Sequence, residues 1–302
     1  MNILIVTGGN SSEREISFMS STNVKHVLEA NKHSVELFDF REGYEALAKA
    51  LDRADICFPV MHGKEGEDGT LYRYLESSGK PFVGSDSAGA KIACDKILFK
   101  SYCDEQGIAT AAWSVITAQE DIRKFGFPCV LKAANGGSSH EVALLFHEHD
   151  LESEKVKTIL SLTDHFFIER YLQGIEVTVG VLIDTPLPVI EITPPQDGWF
   201  DYEHKYSGKS QEIAFAPSLS EPVQKRAQEI ALKIHRDLGL KSFSRTDMIV
   251  VDNIPYVLEV NTPAGVGLTP QSLFPKATAA AGISFEEFVD TIIHAALPKT
   301  II

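Results

Sequence analysis

The stretch RTDMIVVDNIPYVLEVN at residues 245–261 decides how this chain is interpreted. Two apolar runs flank a polar Asp-Asn pair at 252–253, which is typical of two β-strands joined by a turn. Glu259 and Asn261 are two residues apart and therefore share one face of their strand. Asp247 joins that face, opposite Glu259, if the loop has three or five residues. A two-residue loop would place these two carboxylates on opposite faces.

The polar residues of this hairpin point to a cation. Asp247, Glu259 and Asn261 stand in strands that otherwise carry Val, Ile, Leu and Tyr, and a charge buried in such surroundings is costly unless it is balanced. Oxygen-only ligands suit Mg²⁺ that is shared with substrate phosphates. A metal site is one interpretation of these residues, and a solvent-exposed strand face is the other.

A second segment has the features of a phosphate-binding loop. Lys132 ends an apolar strand, and the Gly/Ser loop 136–139 follows, as a lid over phosphates requires. The alternative is a solvated hairpin loop. The GKS triplet at 208–210 is not a Walker A motif, because Glu203 stands where the leading glycine should be.

The first ninety residues alternate short apolar strands with helical patterns. Strands are predicted at 3–7, 35–40, 56–62 and 81–84, and helices at 13–30, 44–52 and 69–78. This alternation predicts a parallel sheet with helices on both faces, whose ligands bind at the carboxyl ends of the strands. The predicted class is α/β, followed by α+β subdomains. They contain strands at 113–116, 129–133, 142–146, 166–171, 177–182 and 188–192, and helices at 92–106, 221–238 and 284–296.

The turn after the first strand, Gly8-Gly9, leads into the first helix. Ser12 and Glu15 have the spacing of a capping box, which predicts a helix start here. Glu13 would then lie in the first helical turn, at the crevice beside the strand ends. The alternative is that Glu13 only favours the helix dipole.

Composition limits the classes of partner. The chain has 302 residues and a formal net charge of −14, so we expect neither nucleic acid nor an anionic membrane as a partner, since both need a cationic face. Its four cysteines lack metal-binding spacing and predict buried thiols in a reducing compartment. Neither a signal peptide nor an apolar run long enough to span a membrane is visible, and we expect a cytoplasmic protein.

Five segments in this order resemble the D-alanine–D-alanine ligase family of the ATP-grasp superfamily, over nearly the whole chain. The motifs are GGNSSEREIS from residue 8, HGKEGEDG from residue 62, DYEHKY from residue 201, LEVNT from residue 258 and SLFPK from residue 272. The resemblance implies an ATP-grasp fold with an N-terminal Rossmann-like domain. The implied domains are residues 1–87, 88–172 (central ATP-binding) and 173–302 (C-terminal catalytic).

The resemblance also implies the roles of individual residues. Arg245 and a backbone N–H at Gly265 or Gly267 would form the oxyanion site, and Glu13 would join a catalytic hydrogen-bond network with Ser138 and Tyr206. The residues implied for substrate binding are Glu13, His62, Lys205, Tyr206, Arg245 and Ser272. Those implied for ATP are Lys96, Lys132, Ser138, Ser139, Glu169, Arg170, Leu172 and Glu176. Asp247, Glu259 and Asn261 would hold two Mg²⁺ ions, for which Mn²⁺ would substitute.

The implied activity joins two D-alanines through an acyl phosphate, for peptidoglycan precursor synthesis, in a homodimeric enzyme. Ala133, the pair His140-Glu141 and a longer segment at 262–268 depart from the family pattern. They leave open a ligase of the same fold that joins another amino-acid pair. A nucleotide-binding regulator without catalysis is a third hypothesis.

Overall fold

The structure is a computed structural model that describes residues 1–135, 142–162, 165–193 and 211–298. Its N-terminal unit confirms the predicted parallel sheet. The elements are β1 (Asn2–Thr7), α1 (Arg14–Ala30), β2 (Ser34–Asp39), α2 (Gly43–Arg53), β3 (Ile56–Pro59) and α3 (Thr70–Ser78). The strand order is β2-β1-β3, and both pairs are parallel. The carboxyl ends of β1 and β3 therefore open on the same edge of the sheet.

A smaller antiparallel sheet follows two consecutive helices. The elements are α4 (Ser87–Cys94), α5 (Lys96–Glu105), β4 (Trp113–Ile116), α6 (Gln119–Phe125), β5 (Cys129–Ala133), β6 (Val142–Leu145), α7 (Glu154–Leu162) and β7 (Phe166–Arg170). The strand order β4-β7-β5-β6 places β5 and β7 at the centre of this sheet. Residues 132 and 169, both singled out from the sequence, thus lie on adjacent strands.

A larger antiparallel sheet contains the hairpin. The elements are β8 (Ile175–Leu182), β9 (Thr185–Pro186), β10 (Ile190–Thr193), β11 (Gln211–Ala214), α8 (Glu221–Asp237), β12 (Phe243–Val251), β13 (Ile254–Asn261), α9 (Leu273–Ala280) and α10 (Phe285–Ala296). The strand order is β11-β10-β8-β12-β13, with β9 paired to β8. The described part of the chain contains no helix with the length and apolarity needed to cross a membrane.

One apolar core joins the parallel sheet to the larger antiparallel sheet. Ile5 and Phe58 belong to the same buried cluster as Phe243, Phe274 and Phe288. The three phenylalanine rings pack with centroids 5.1–5.2 Å apart. Separate cores fill the smaller sheet and the face of the larger sheet under α8. This shared core fixes the open edge of the parallel sheet relative to β12 and β13.

The predicted single helix at 92–106 is wrong: the structure has two helices that meet at Asp95. The Asp95 carboxylate accepts hydrogen bonds from the N–H groups of Ile97 and Leu98, at 3.0 and 3.1 Å, and caps α5. An N-cap aspartate satisfies amide groups that the first helical turn leaves without partners. Lys96 therefore stands at the first position of a new helix.

Three local predictions in the N-terminal unit are also wrong. Ser12 and Glu15 do not form a capping box: α1 begins at Arg14, with Glu13 at the N-cap position and no side-chain cap. The strand predicted at 81–84 is reduced to a single parallel bridge between Cys57 and Phe82. The third predicted strand ends at residue 59 rather than 62. The division into three domains stays a prediction.

Candidate active site

The hairpin of β12 and β13 has a two-residue turn and nevertheless places Asp247 opposite Glu259. Asp252 and Asn253 both have positive φ (49° and 65°), as a tight hairpin turn requires. A shift of register between Asp247 and Met248 then adds one residue to β13. The prediction that a two-residue loop separates the carboxylates is therefore wrong, because a β-bulge restores the shared face.

Asp247 is held on several sides. Arg245 donates to both of its carboxylate oxygens, at 3.0 and 2.8 Å, and Asn261 donates to Oδ2 at 3.1 Å. The Thr178 hydroxyl on β8 donates to Oδ1 at 2.6 Å. Asp247 and Arg245 are only 9% and 7% exposed, and Glu259 and Asn261 are half-buried. Asp247 therefore does not lie on a solvent-exposed strand face.

Glu259 forms an ion pair with the first residue of α5. Lys96 Nζ lies 3.3 Å from Glu259 Oε2. Burial opposes the charged form of Lys96, but the Glu259 carboxylate, together with smaller contributions from Cys94 and Glu67, raises the pKa of the ammonium. The recess around this pair is lined by residues that include Glu67, Cys94, Lys96, Glu259, Asn261 and Thr262. The chain's own cations thus balance both carboxylates of the hairpin.

Two lysines hold the carboxylate of Glu169 at the centre of the smaller sheet. Lys132 Nζ lies 2.5 Å from Glu169 Oε1, and Lys100 Nζ lies 2.5 Å from Oε2. Burial alone would raise the pKa of Glu169, but the two ammonium groups together lower it. Lys132 and Glu169 were singled out from the sequence, whereas Lys100 was missed. Its position one helical turn after Lys96 was the available signal.

His62 occupies the crevice at the edge of the parallel sheet. Its backbone carbonyl accepts a hydrogen bond from Ser11 Oγ (2.7 Å), and its N–H donates to Ser17 Oγ (2.9 Å). Burial lowers the pKa of the imidazole to about 4. The positive charge of Arg245 also lowers this pKa, whereas the negative charge of Glu13 raises it. The crevice therefore presents a neutral imidazole near a carboxylate and a guanidinium.

The remaining predicted residues differ in placement. Gly265 lies in a short 3-10 turn, where its N–H donates to the Thr262 carbonyl at 2.9 Å, so that amide is engaged. Ser272 is the N-cap residue of α9, and its Oγ would lie 2.7 Å from a Cβ placed on Gly267. Ser272 therefore lies beside Gly267, in the segment 262–268.

The Arg170 side chain points to a turn rather than to an open site. It donates to the carbonyls of Phe125, Gly126 and Pro128, and its guanidinium lies 4.8 Å from the Phe125 ring centroid. Leu172 follows β7 and is half-buried. Glu176 is the second residue of β8. Ser138, Ser139, Lys205 and Tyr206 lie outside the described residues.

The donor chemistry of the hairpin fits a hard cation. Asp247, Glu259 and Asn261 offer oxygen atoms only, which suits Mg²⁺. Within the described ranges, three or more His, Cys, Asp or Glu side chains do not come together in a metal-binding group.

All four cysteines are free, and burial raises the pKa of the Cys129 thiol to about 11. The expected burial is confirmed for Cys57, Cys103 and Cys129, whereas Cys94 is half-buried, and the reducing compartment stays a prediction.

Two antiparallel sheets, with lysines and carboxylates gathered around the helix α5, define the ATP-grasp class. Within that class, the family model described as D-ala D-ala ligase N-terminus matches residues 41–85, and that described as D-ala D-ala ligase C-terminus matches residues 103–294. The chain belongs to the D-alanine–D-alanine ligase family, whose members are ligases.

Individual relatives agree with this assignment. The chain is 34% identical over 300 residues to the D-alanine–D-alanine ligase of Maridesulfovibrio salexigens, covering 97% of this chain and 98% of the relative. It is 37% identical over 308 residues to that of Syntrophobacter fumaroxidans, with 98% of each covered. It superposes with a TM-score of 0.84 on the Bacillus anthracis ligase solved with ATP, at 31% identity, covering 98% and 97% of the two chains.

Proposed function

We propose that this protein joins two D-alanine molecules in an ATP- and Mg²⁺-dependent reaction. The observation that carries the proposal is the facing pair Asp247 and Glu259, bracketed by Arg245 and Lys96 between two antiparallel sheets. Phosphoryl transfer needs positioning and neutralisation of charge more than covalent help from the protein. Four charged groups at fixed positions, two of which (Lys96 and Glu259) line a recess, supply both.

The residues of the chain take the following parts in this proposal. Lys96 and Lys132 neutralise the phosphates of ATP while the γ-phosphate passes to the carboxylate of the first D-alanine. Glu13 binds the ammonium of that substrate, beside the neutral imidazole of His62. The amine of the second D-alanine then attacks the carbonyl carbon of the acyl phosphate, and Arg245 stabilises the oxyanion that develops. Collapse of this tetrahedral intermediate breaks the C–O bond to phosphate and gives the amide, with release of inorganic phosphate and of the proton from the amine.

The second substrate would bind beside α9. Ser272 and Arg245 would hold its carboxylate, and an amide of the segment 265–267 would assist at the oxyanion. Because the N–H of Gly265 closes a turn onto Thr262, Gly267 is our choice for this donor. Ser138, Ser139, Lys205 and Tyr206 keep the roles that the family resemblance gives them, and so do Glu169, Leu172 and Glu176 around the adenosine. The resemblance groups Arg170 with these three, but its side chain is bonded to backbone carbonyls of the turn at Phe125.

Asp247, Glu259 and Asn261 would hold the Mg²⁺ ions, which supply further neutralisation of phosphate charge when bound. The proposal extends to a role in peptidoglycan precursor synthesis, a cytoplasmic location and a homodimer. It also keeps the domain division at residues 87 and 172. The −14 charge of the chain is compatible with anionic small substrates because the cations are concentrated locally.

The deciding experiment is a substrate panel. The purified protein is incubated with ATP and Mg²⁺, and ADP release and the ligated product are measured with D-alanine alone and with D-alanine plus D-serine, D-lactate or L-alanine. We expect D-alanine alone to give ADP and D-alanyl-D-alanine in equal amounts. ADP release that requires a different pair would assign the enzyme to another substrate, and ATP binding without turnover in every arm would contradict a ligase.

A further inference from the structure

Lys100 is a buried lysine that the proposed chemistry leaves without a part. Its side chain is 1% exposed, on α5, one helical turn beyond Lys96. A lysine is rarely buried to this extent unless its charge is paired. Its Nζ forms an ion pair with Glu169 Oε2 and donates a hydrogen bond to Thr110 Oγ1. The ammonium therefore has two fixed partners inside the protein.

The second partner connects Lys100 to the larger sheet. Thr110 Oγ1 donates to the Val257 carbonyl at 2.8 Å, and the Val257 N–H donates to the Ala109 carbonyl at 2.8 Å. Val257 lies on β13 and pairs with Met248 at the β-bulge of the hairpin. Glu169 on the smaller sheet is thus tied through Lys100 and Thr110 to the strand that carries Glu259.

The two lysines on Glu169 differ in what they can do. Lys132 lies on β5 and its side chain is 13% exposed, whereas that of Lys100 is 1% exposed. Burial lowers the pKa of Lys100, and the nearby positive charge of Lys132 lowers it further, whereas the Glu169 carboxylate raises it. In the proposed function Lys132 contacts a phosphate of ATP, and the ion pair between Lys100 and Glu169 would then balance the buried carboxylate by itself.

We propose that Lys100 is a positioning residue for nucleotide selection: it holds Glu169 Oε2, so that Oε1 is presented as a hydrogen-bond acceptor to the purine. This inference rests on the proposed function, in which Glu169 lines the adenosine pocket. An ionised carboxylate accepts from an amino group and repels a carbonyl oxygen. The pair therefore favours a purine with an exocyclic amine over one with a carbonyl at the same position.

The test compares Lys100→Met with the conservative Lys100→Arg and with Lys157→Met. Lys157 is a matched control, because it forms an exposed ion pair with Glu154 at 2.9 Å in the same region of the chain. For each variant, kcat and KM are measured with ATP and with inosine triphosphate, which carries a carbonyl in place of the amine. Binding of both nucleotides is measured by calorimetry without D-alanine.

For Lys100→Met we expect the KM and the Kd for ATP to rise about 10- to 100-fold, the scale of one charge-assisted hydrogen bond. The preference for ATP over inosine triphosphate should fall about tenfold, with a smaller change in kcat. Lys100→Arg should recover part of the preference, and Lys157→Met should match the wild type. A folded Lys100→Met variant with an unchanged ATP preference would overturn the inference.

A further variant covers the case in which Lys100→Met does not fold. Thr110→Val removes the hydroxyl that accepts from the ammonium and donates to the Val257 carbonyl, and it keeps the ion pair and the side-chain shape. We expect it to raise the Kd for ATP about threefold or more without an equal loss for inosine triphosphate, and equal effects on both nucleotides would refute the inference. Because binding is measured without D-alanine, this result does not depend on the identity of the amino-acid substrates.

Discussion

Lys96 Nζ and Glu259 Oε2, 3.3 Å apart, join the first residue of α5 to the last part of β13. The pair fixes an ammonium and a carboxylate at one end of the recess, where the proposed function needs a phosphate contact and a metal ligand. If either group is neutralised, its partner is left as an unpaired charge in a largely buried position, which is unfavourable. Glu259 is therefore the most direct residue at which to test the site.

Glu259→Gln should lower kcat by about 10³-fold or more, because it removes a charged metal ligand while keeping the shape of the side chain. The matched control is Glu36→Gln, since Glu36 also lies on a strand and forms an ion pair, with Arg53 at 2.8 Å. Activity is followed by ADP release, and folding by circular dichroism. Near-normal activity in Glu259→Gln would contradict the metal assignment.

Thr178→Val should raise the Mg²⁺ concentration needed for half-maximal activity by about tenfold, the usual scale for loss of a group that orients a metal ligand. The Thr178 hydroxyl donates to Asp247 Oδ1 at 2.6 Å and is fully buried. Thr278→Val is the control, because its buried hydroxyl bonds only to the Pro275 carbonyl among the hydrogen bonds described. An unchanged Mg²⁺ requirement in Thr178→Val would show that Asp247 is not a metal ligand.

Gly89→Ala should destabilise the protein by about 1–3 kcal/mol, as an added methyl group in a tightly packed contact usually does. A Cβ on Gly89 would lie 1.6 Å from the Leu238 carbonyl oxygen, at the end of α8. The helix α4 leads directly into α5, so its displacement would also reach Lys96. Urea denaturation measures the effect against Ala88→Ser, an exposed neighbour on the same helix, and equal stability of the two variants would contradict this packing.

The periodicity of the sequence predicted most elements, because apolar runs and helical spacing are local properties. The partners of Asp247 were only partly predictable. The sequence places Asp247, Glu259 and Asn261 on two strands, but a β-bulge between paired strands leaves no local pattern in either strand. The cations that balance these carboxylates come from β12 itself and from α5, and the second of these is set by tertiary packing.

Capping and burial explain two further differences. The helix breaks at Asp95 because its carboxylate accepts hydrogen bonds from amides of the following turn, which then starts a new helix. The spacing of apolar residues carries no information about this side-chain-to-backbone hydrogen bond. Lys100 resembles any solvated lysine in the sequence, and only packing against the smaller sheet shows that it is buried on Glu169. Residues whose role depends on distant partners were therefore the ones missed.

The buried imidazole of His62 should make the stability of the protein fall in mildly acidic solution. Its folded pKa is about 4, because burial disfavours the charged ring, while an unfolded histidine titrates near pH 6.5. The unfolded chain then binds more protons as the pH falls from 6.5 to 4, and the stabilisation present above pH 6.5 is progressively lost. Between pH 7 and pH 5 this group should account for about 2 kcal/mol of lost stability. The measurement is urea denaturation at both pH values, with His62→Gln as the variant in which this part of the pH dependence disappears. The same pH dependence in both proteins would show that the pKa of His62 is equal in the folded and unfolded states.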